Sequence, residues 1–508
     1  MEKNFVKVKI NGAVYEAPVG SLLSELPVFD NKLEMPCGGR GSCGKCRVRV
    51  QGEVSPASER ERELLTSSEL SEGVRLACMC RVLGDTQVSL DSEGASFVTL
   101  DARLPEFEIS CDFEGYGLAI DLGSTTLAGA ICSNRGETVS IRGMKNPQTA
   151  FGADVITRME KAVNGKAEQL ARITLDAIEE LARLLAADVG VKEDQISLAV
   201  ITGNTAMLSL LTKTETDTMC KAPFRARRLF GEYLSGKELG FKGACQGARI
   251  YLPSCISAFV GADTVCALLC SGLCDGQDSG MLTDIGTNGE TALWQSGILS
   301  VCSSAAGPAF EGAGISCGTW SRQGAIDKVS LVNGTLYPHV IGEGRALGIC
   351  GAGVIDALAC LMDIDELDES GHLENGEVTI APGVSLTQGD VYQITLAKAA
   401  IRAGIDTLLE KKRMSTEDLS SFYICGGFGS HMNIHSAEKT GLLPCGISKI
   451  ATVLGNGALA GAVMMLLNGE YREKGSVMAQ NAEHVSLSGD NSFFERYIEN
   501  MFYIKKGM

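Results

Sequence analysis

The sequence predicts an α/β protein of several domains, and three observations carry that expectation. The chain has 508 residues, more than one hydrophobic core covers, so about two to four domains are expected. A ten-residue, glycine-rich stretch holds three cysteines, Cys37-Gly38-Gly39-Arg40-Gly41-Ser42-Cys43-Gly44-Lys45-Cys46. A buried-strand pattern delivering an aspartate to a small-residue turn then occurs twice. The copies are Leu118-Ala119-Ile120-Asp121-Leu122-Gly123-Ser124-Thr125-Thr126 and Leu282-Thr283-Asp284-Ile285-Gly286-Thr287-Asn288-Gly289-Glu290.

Composition narrows the function classes. Hydrophobic content of 45% and charged content of 21% are ordinary for a globular protein. A net charge of −17 argues against a nucleic-acid partner held through phosphates and fits solubility instead. No apolar run reaches the roughly eighteen residues of a membrane helix, and Met1–Asn11 lacks the regions of a signal peptide. The expectation is a cytoplasmic protein without a membrane partner. Its 19 cysteines are therefore read as thiols and ligands, not as a disulfide framework. Sixty glycines against twelve prolines point to tight turns around ligands.

In chain order, Val6–Ile10 alternates as a strand, Asn11-Gly12 signals a hairpin turn, and Ala13-Val14-Tyr15 begins the return strand. Ser21–Leu26 is expected to be a short helix. The cysteine loop follows, then a strand over Arg47–Val50, and Arg75-Leu76-Ala77-Cys78 supplies one more thiol. Three thiolates in a glycine-rich loop and a distant fourth are how a [2Fe–2S] cluster is held, which makes Cys37, Cys43, Cys46 and Cys78 the candidate ligands. Zinc is the rival, but zinc ribbons use paired C-x₂-C knuckles and only Cys43/Cys46 form one. Cys80 lies two residues beyond Cys78 and is the other candidate for the fourth position; the preceding Arg-Leu-Ala favours Cys78. This first domain is placed at 1–92, with a linker at 93–115 that includes Pro105.

The remainder reads as two halves, 116–280 and 281–508 with a C-terminal tail. Ala167–Ala187 has helical spacing, Leu198–Gly203 is a buried strand, and Ser257–Leu269 starts as a turn and continues as a helix. Cys266, Cys270 and Cys274 fall at intervals of four; that spacing suits a metal site, but buried thiols pack as small hydrophobes, and packing is favoured. Gly348–Asp356 is another glycine turn opening a helix, and Val391–Leu409 is helical. Phe422–Ser430 is a strand ending in Gly426-Gly427, where a flat nucleoside can lie against backbone. Leu454–Leu459 begins the last core helix.

In each duplicated turn, backbone N–H groups and hydroxyls can approach an anion, and the aspartate can hold Mg²⁺ through its waters. Asp121 and Asp284 are the candidate catalytic carboxylates. Gly123, Ser124, Thr125, Thr126, Gly286, Thr287, Asn288 and Gly307 are candidates for the phosphates, and Gly426 and Gly427 for the nucleoside. Asp263 is a weaker candidate beside a structural role. No P-loop string is present, and no G-x-G-x-x-G follows a strand with the acidic residue of a dinucleotide fold.

The order of two phosphate turns and a nucleoside turn resembles the ASKHA superfamily of acetate and sugar kinases, chaperone ATPases and actin, whose two ribonuclease-H-like halves close over ATP. The cysteine loop resembles β-grasp ferredoxins, with five residues between Cys37 and Cys43 where the plant-type spacing has four. Together they resemble the reductive activators of corrinoid-dependent enzymes. The matching strings are Asn146–Gln148, Phe151–Arg158, Gly203–Met207, Ser257–Thr264, Asp284–Glu290, Ala305–Gly312 and Ile349–Asp356. Ser209 departs from the pattern, in which His follows the Gly-Asn-Thr-Ala-Met turn, and the connecting segment is short.

The resemblance implies ATP-dependent reduction of an inactive Co(II) corrinoid protein of a methyltransferase system to Co(I), by one electron passed through the cluster. It also implies a low-potential electron donor as a second partner, and a homodimer is compatible with it. Two rival readings stand beside it: an activator of a radical 2-hydroxyacyl-CoA dehydratase, and a nucleotide-binding redox sensor. The first of these families holds a [4Fe–4S] cluster between two subunits and lacks an N-terminal ferredoxin.

Overall fold

Alternating apolar residues in the first ninety positions build a five-stranded sheet from β1 (Phe5–Ile10), β2 (Ala13–Pro18), β3 (Arg47–Val54), β4 (Val74–Leu76) and β5 (Val82–Ser89), ordered β2-β1-β5-β3-β4. The computed structural model describes residues 5–10, 13–26, 39–41, 44, 46–65, 67–89, 103–152, 154–192, 195–342, 344–427 and 432–503. β1 and β5 run parallel while β1/β2, β3/β4 and β3/β5 are antiparallel. β5 buries Val82 and Val88 on the face that packs on Val8, Val48 and Val50. The segment expected to be a helix at Ser21–Leu26 closes only as a 3₁₀ turn, Leu23–Glu25. Its N–H groups are taken by distant carbonyls: Leu23 N–H donates to Cys80 O at 2.9 Å and Ser24 N–H to Ala77 O at 3.1 Å. The Asn11-Gly12 turn lies outside the described residues.

The arginine before Cys78 has a physical reason. Arg75 and Glu61 form a buried fork, with Nε to Oε1 at 3.0 Å and Nη2 to Oε2 at 2.9 Å, and Leu76 N–H also donates to Glu61 Oε1 at 3.1 Å. A bidentate pair with this extra donor satisfies both buried charges and fixes the strand that leads to Cys78.

Within the segment read as a linker, residues 103–112 pack onto the rest. Ser110 bridges Asn468, Phe107 stands edge-on to Tyr471 at 5.8 Å, and Asp112 forms an ion pair with Arg472, Nη2 to Oδ1 at 2.5 Å.

Two further sheets repeat one plan. The first joins β6 (Tyr116–Leu122), β7 (Thr126–Ser133), β8 (Thr138–Lys145), β9 (Ile196–Gly203), β10 (Glu232–Ser235) and β11 (Arg249–Leu252) in the order β10-β11-β9-β6-β7-β8. The second half supplies β12 (Gly280–Ile285), β13 (Gly289–Gln295) and β14 (Ile298–Ser304). A three-stranded satellite of β15 (Ala325–Val332), β16 (Thr335–Val340) and β17 (Gly348–Ile349) follows, then a hairpin of β18 (Glu377–Ala381) and β19 (Val384–Thr387). β20 (Ser421–Cys425), β21 (Ala451–Gly455) and β22 (Glu483–His484) complete the main sheet, ordered β21-β20-β12-β13-β14-β22. In each sheet the aspartate strand has an antiparallel neighbour (β7 or β13) and a parallel one (β9 or β20). Asp121 and Asp284 are each the penultimate residue of their strand.

Between the sheets lie the helices Ala262–Ser271 and Gly457–Leu467, whose apolar faces share one core with Ala119, Val200, Leu282 and Val301. Cys266 and Cys270 are buried in that packing. The helix ends at Ser271 with Gly272 left-handed, so Cys274 falls in a separate 3₁₀ turn, and the three thiols do not share one helical face. Among the described residues no group of three or more His, Cys, Asp or Glu is placed to hold a metal ion directly. No helix among them is long and apolar enough to cross a membrane.

After the last core helix the chain forms two more helices, Gly469–Asn481 and Asn491–Glu499. Lys398 fastens the end, its Nζ donating to Asn500 O at 2.7 Å and Phe502 O at 2.9 Å and lying 4.3 Å from the Tyr503 ring centre.

The two central helices meet at Gly461, where a Cβ would lie 2.0 Å from Cys266 O. Gly461→Ala must push them apart and should cost about 1–3 kcal/mol, read as a lowered denaturation midpoint with secondary structure retained. An unchanged midpoint would contradict this packing.

Candidate functional site

Each aspartate turn is clamped from outside by a string noted in the sequence. Asn146 N–H donates to Thr125 O at 2.8 Å and its Nδ2 to Gly123 O at 2.7 Å, which fixes the first turn. Gln148 Nε2 in turn donates to Thr174 Oγ1 at 2.7 Å, anchoring the clamp to the helix Ala167–Val189. In the second turn Gly286 N–H donates to Asn288 O at 3.1 Å, and Gly307 N–H to Thr287 O at 2.8 Å. Gly307 thus supports the turn and is not among the residues that line the cleft. Gly426 is left-handed at φ 98°, and a Cβ there would lie 2.5 Å from Asp284 Oδ1. Only glycine lets β20 pass this close to the carboxylate.

The two turns face each other across a cleft of about 210 Å³. Asp121, Gly123, Ser124, Thr125, Thr126, Asp284, Gly286, Thr287, Asn288, Gly426 and Gly427 all line it, as does Asp263. Phe428–Ser430 lies outside the described residues. Three further lining residues were not singled out in the sequence: Glu290, Glu311 and Asn456. Asn456 caps the helix Gly457–Leu467 and donates from Nδ2 to Asp121 Oδ2 at 2.9 Å. Its Leu-Gly-Asn-Gly string signalled the cap but not the aspartate. Glu311 accepts the hydroxyl of Thr287 at 2.8 Å and that of Thr125. Ser209, the departure from the family pattern, is buried and donates to Thr205 O at 2.7 Å.

So many carboxylates in one dry cleft shift one another. Burial pushes Asp121 up to about 7, with the charge of Asp284 adding to it. Burial and the Asp284 charge push Asp263 up to about 8. Asp284 rises to about 6 through burial and the charge of Glu311, and Glu290 rises well above the usual range through burial and the charges of Asp263 and Asp284. Each of these groups is disfavoured as an anion unless a cation joins it.

On the other domain, Cys46 and Cys78 bring their Sγ atoms to 3.3 Å, and Ala77 N–H donates to Cys46 O at 2.8 Å, holding the two segments together. Cys80 is wholly buried, and burial pushes its thiol up to about 11. Cys37 and Cys43 lie outside the described residues. The cysteine loop also touches the first half: Arg40 Nη2 donates to Thr157 Oγ1, on the helix Val155–Lys161, at 3.1 Å. A second cavity of about 720 Å³ is lined by Gly44, Arg47 and Leu64 on one side and by Thr125, Thr126, Glu311 and Trp320 on the other.

The fold and site define a class: a ferredoxin-type iron–sulfur domain joined to a two-lobed ASKHA nucleotide-binding unit. Family models agree by segment. A 2Fe-2S iron-sulfur cluster binding domain matches residues 8–83, the RACo middle region residues 116–275, and the C-terminal domain of RACo, the ASKHA domain, residues 278–508. The corrinoid activation enzyme RamQ of Eubacterium limosum is 31% identical over 422 residues, covering 76% of this chain and 70% of that protein. The [Co(II) methylated amine-specific corrinoid protein] reductase of Methanosarcina barkeri is 26% identical, covering 77% of this chain and 78% of its own. The solved structure of a reductive activator for corrinoid, iron-sulfur protein superposes with a TM-score of 0.71 at 25% identity, over 98% of both chains. The chain belongs to the RACo family of corrinoid activation proteins.

The raised carboxylates set a pH dependence. A carboxyl whose folded pKa lies above its unfolded value near 4 binds more protons when folded, so stability falls as pH rises through that window. With Asp121 at about 7 and Asp263 at about 8, the melting temperature of the nucleotide-free protein should fall between pH about 5 and about 8. Asp263→Asn should flatten that fall by about 1.4 kcal/mol or more, the equivalent of one pKa unit. A melting temperature independent of pH would contradict the shifts.

Proposed function

We propose that this protein is an ATP-dependent reductive activator, returning the inactive Co(II) form of a corrinoid protein to Co(I) by one electron delivered from its iron–sulfur domain. The observation that carries this reading is the shared wall. Thr125 and Thr126 of the first nucleotide turn line the same cavity as Gly44, inside the cysteine loop, and Arg47, which follows it. The names of the relatives, a corrinoid activation enzyme and a Co(II) corrinoid protein reductase, support the substrate class.

The residues fit the groups this function needs. Cys46 and Cys78 converge as two ligands of one iron do, with Cys37 and Cys43 as the proposed other pair. The [2Fe–2S] cluster held there supplies one-electron transfer. In the cleft, the raised carboxylates call for a cation, which Mg²⁺ held through its waters would supply. Asp121 and Asp284 orient those waters and the attacking water. Gly123, Ser124, Thr125, Thr126, Gly286, Thr287 and Asn288 offer N–H groups and hydroxyls to the phosphates, with Gly307 behind them. Gly426 and Gly427 leave a flat floor for the nucleoside.

Energetics explain why a nucleotide is wanted. About 59 mV costs tenfold in a one-electron equilibrium, so a low-lying Co(II)/Co(I) couple stalls against a [2Fe–2S] donor. Closure of the two lobes around ATP is the two-state element that drives binding and release of the partner. A low-potential donor in the cytoplasm refills the iron site.

Asp284→Ala should lower ATP turnover by about a hundredfold or more while leaving the visible absorbance of the cluster unchanged. Normal turnover in that variant would remove the assignment.

A further inference from the structure

One carboxylate in the cleft is bound differently from the others. Glu311 ends the 3₁₀ turn Pro308–Glu311, and Gly312 after it is left-handed at φ 79°. Its Oε1 accepts the Thr287 hydroxyl at 2.8 Å and its Oε2 accepts the Thr125 hydroxyl. Those hydroxyls belong to the two opposed turns, 186 residues from Glu311 in one case and 24 in the other. A Cβ on Gly286 would lie 3.5 Å from Glu311 Oε1, so the carboxylate also faces the backbone of the second turn.

Under the reading that nucleotide binds in this cleft, Thr125 and Thr287 are donors for its phosphates. A hydroxyl has a single proton to give. A threonine that donates to Glu311 cannot donate to a phosphate oxygen at the same time, and two anions cannot share the position without repelling each other. Carboxylate and phosphate are therefore alternatives at one place.

Glu311 also has somewhere to go. It lines both the nucleotide cleft and the larger cavity beside it. Arg47, Lys145 and Arg322 line that larger cavity, as does Asp390; Arg47, which forms an ion pair with Glu69, lies next to Cys46 on the iron–sulfur domain.

We propose that Glu311 is a carboxylate latch: it holds Thr125 and Thr287 across the cleft until the terminal phosphate of ATP takes both hydroxyls, and it then turns into the basic cavity beneath the cluster loop. Glu311 is a positioning residue and the device by which nucleotide occupancy reaches the iron–sulfur domain. ADP lacks the phosphate that competes with it and leaves the latch in place.

The test is calorimetric binding of Mg²⁺ with a non-hydrolysable ATP analogue, and separately with ADP, to the full cluster-loaded chain and to Glu311→Gln and Glu311→Ala. The latch predicts that both variants bind the analogue at least tenfold more tightly while ADP affinity changes less than threefold. If affinity for both nucleotides falls together, Glu311 is only a brace. If affinities are unchanged and only turnover falls, it acts on the attacking water. Either result overturns the proposal. A chain with Glu311 intact that binds neither nucleotide overturns the reading of the cleft itself, whereas normal binding with unaltered variants overturns the latch alone. A second readout needs no change at Glu311. Trp320 lines both cavities, so in a Trp294→Phe background its emission should shift with the ATP analogue and not with ADP. Emission that responds equally to both contradicts the latch.

Discussion

The constraint on which the rest depends is the crowding of Asp121, Asp263, Asp284 and Glu290 into one buried cleft. The fold brings them there on regular elements: two penultimate strand positions, a helix start and the second residue of β13, where Glu290 pairs with Asp284. Arg158 is fully buried beside the charges of Asp154 and Glu311; burial lowers it to about 10, and its Nε donates to Gly152 O at 2.8 Å. Under the proposed function, a cation arriving with a polyanion would stabilise these groups as anions, and the N–H groups and hydroxyls of both turns would share one target.

The proposed coupling to the iron–sulfur domain rests on a shared cavity. Thr125 and Thr126 of the first turn line one side of the larger cavity, and Gly44 of the cysteine loop lines another. Arg40 touches Thr157, whose own hydroxyl donates to Asp154 at 2.8 Å at the start of the helix Val155–Lys161. The connector at 103–112 is held by Asp112–Arg472 to the helix that follows the central one. The iron–sulfur domain thus contacts the first half directly, through Arg40 and the shared cavity.

Much of this was legible in the sequence, and the part that was not has physical causes. The duplicated strand-aspartate-turn could be read because each copy is local: alternation, carboxylate and small residues lie within nine positions. The Asn146 and Gly307 clamps were visible as strings, but their purpose appears only when each folds onto a turn. Glu311 and Asn456 escaped because their partners, Thr125 and Asp121, lie 186 and 335 residues away. The spacing of four at Cys266, Cys270 and Cys274 does not become one helical face, because the helix stops at Ser271 before a left-handed Gly272. The short helix expected at Ser21–Leu26 lost its hydrogen bonds to the Cys80 and Ala77 carbonyls. The docked C-terminal helices depend on Lys398, a buried lysine no local pattern marks.

The central claim is that electron delivery to cobalt is gated by nucleotide in one and the same chain. The direct measurement is the visible spectrum of a Co(II) corrinoid protein mixed with this protein and a low-potential donor, followed with ATP, with ADP and with no nucleotide. Appearance of Co(I) with ATP alone is the predicted result. Reduction at an equal rate without nucleotide would contradict it.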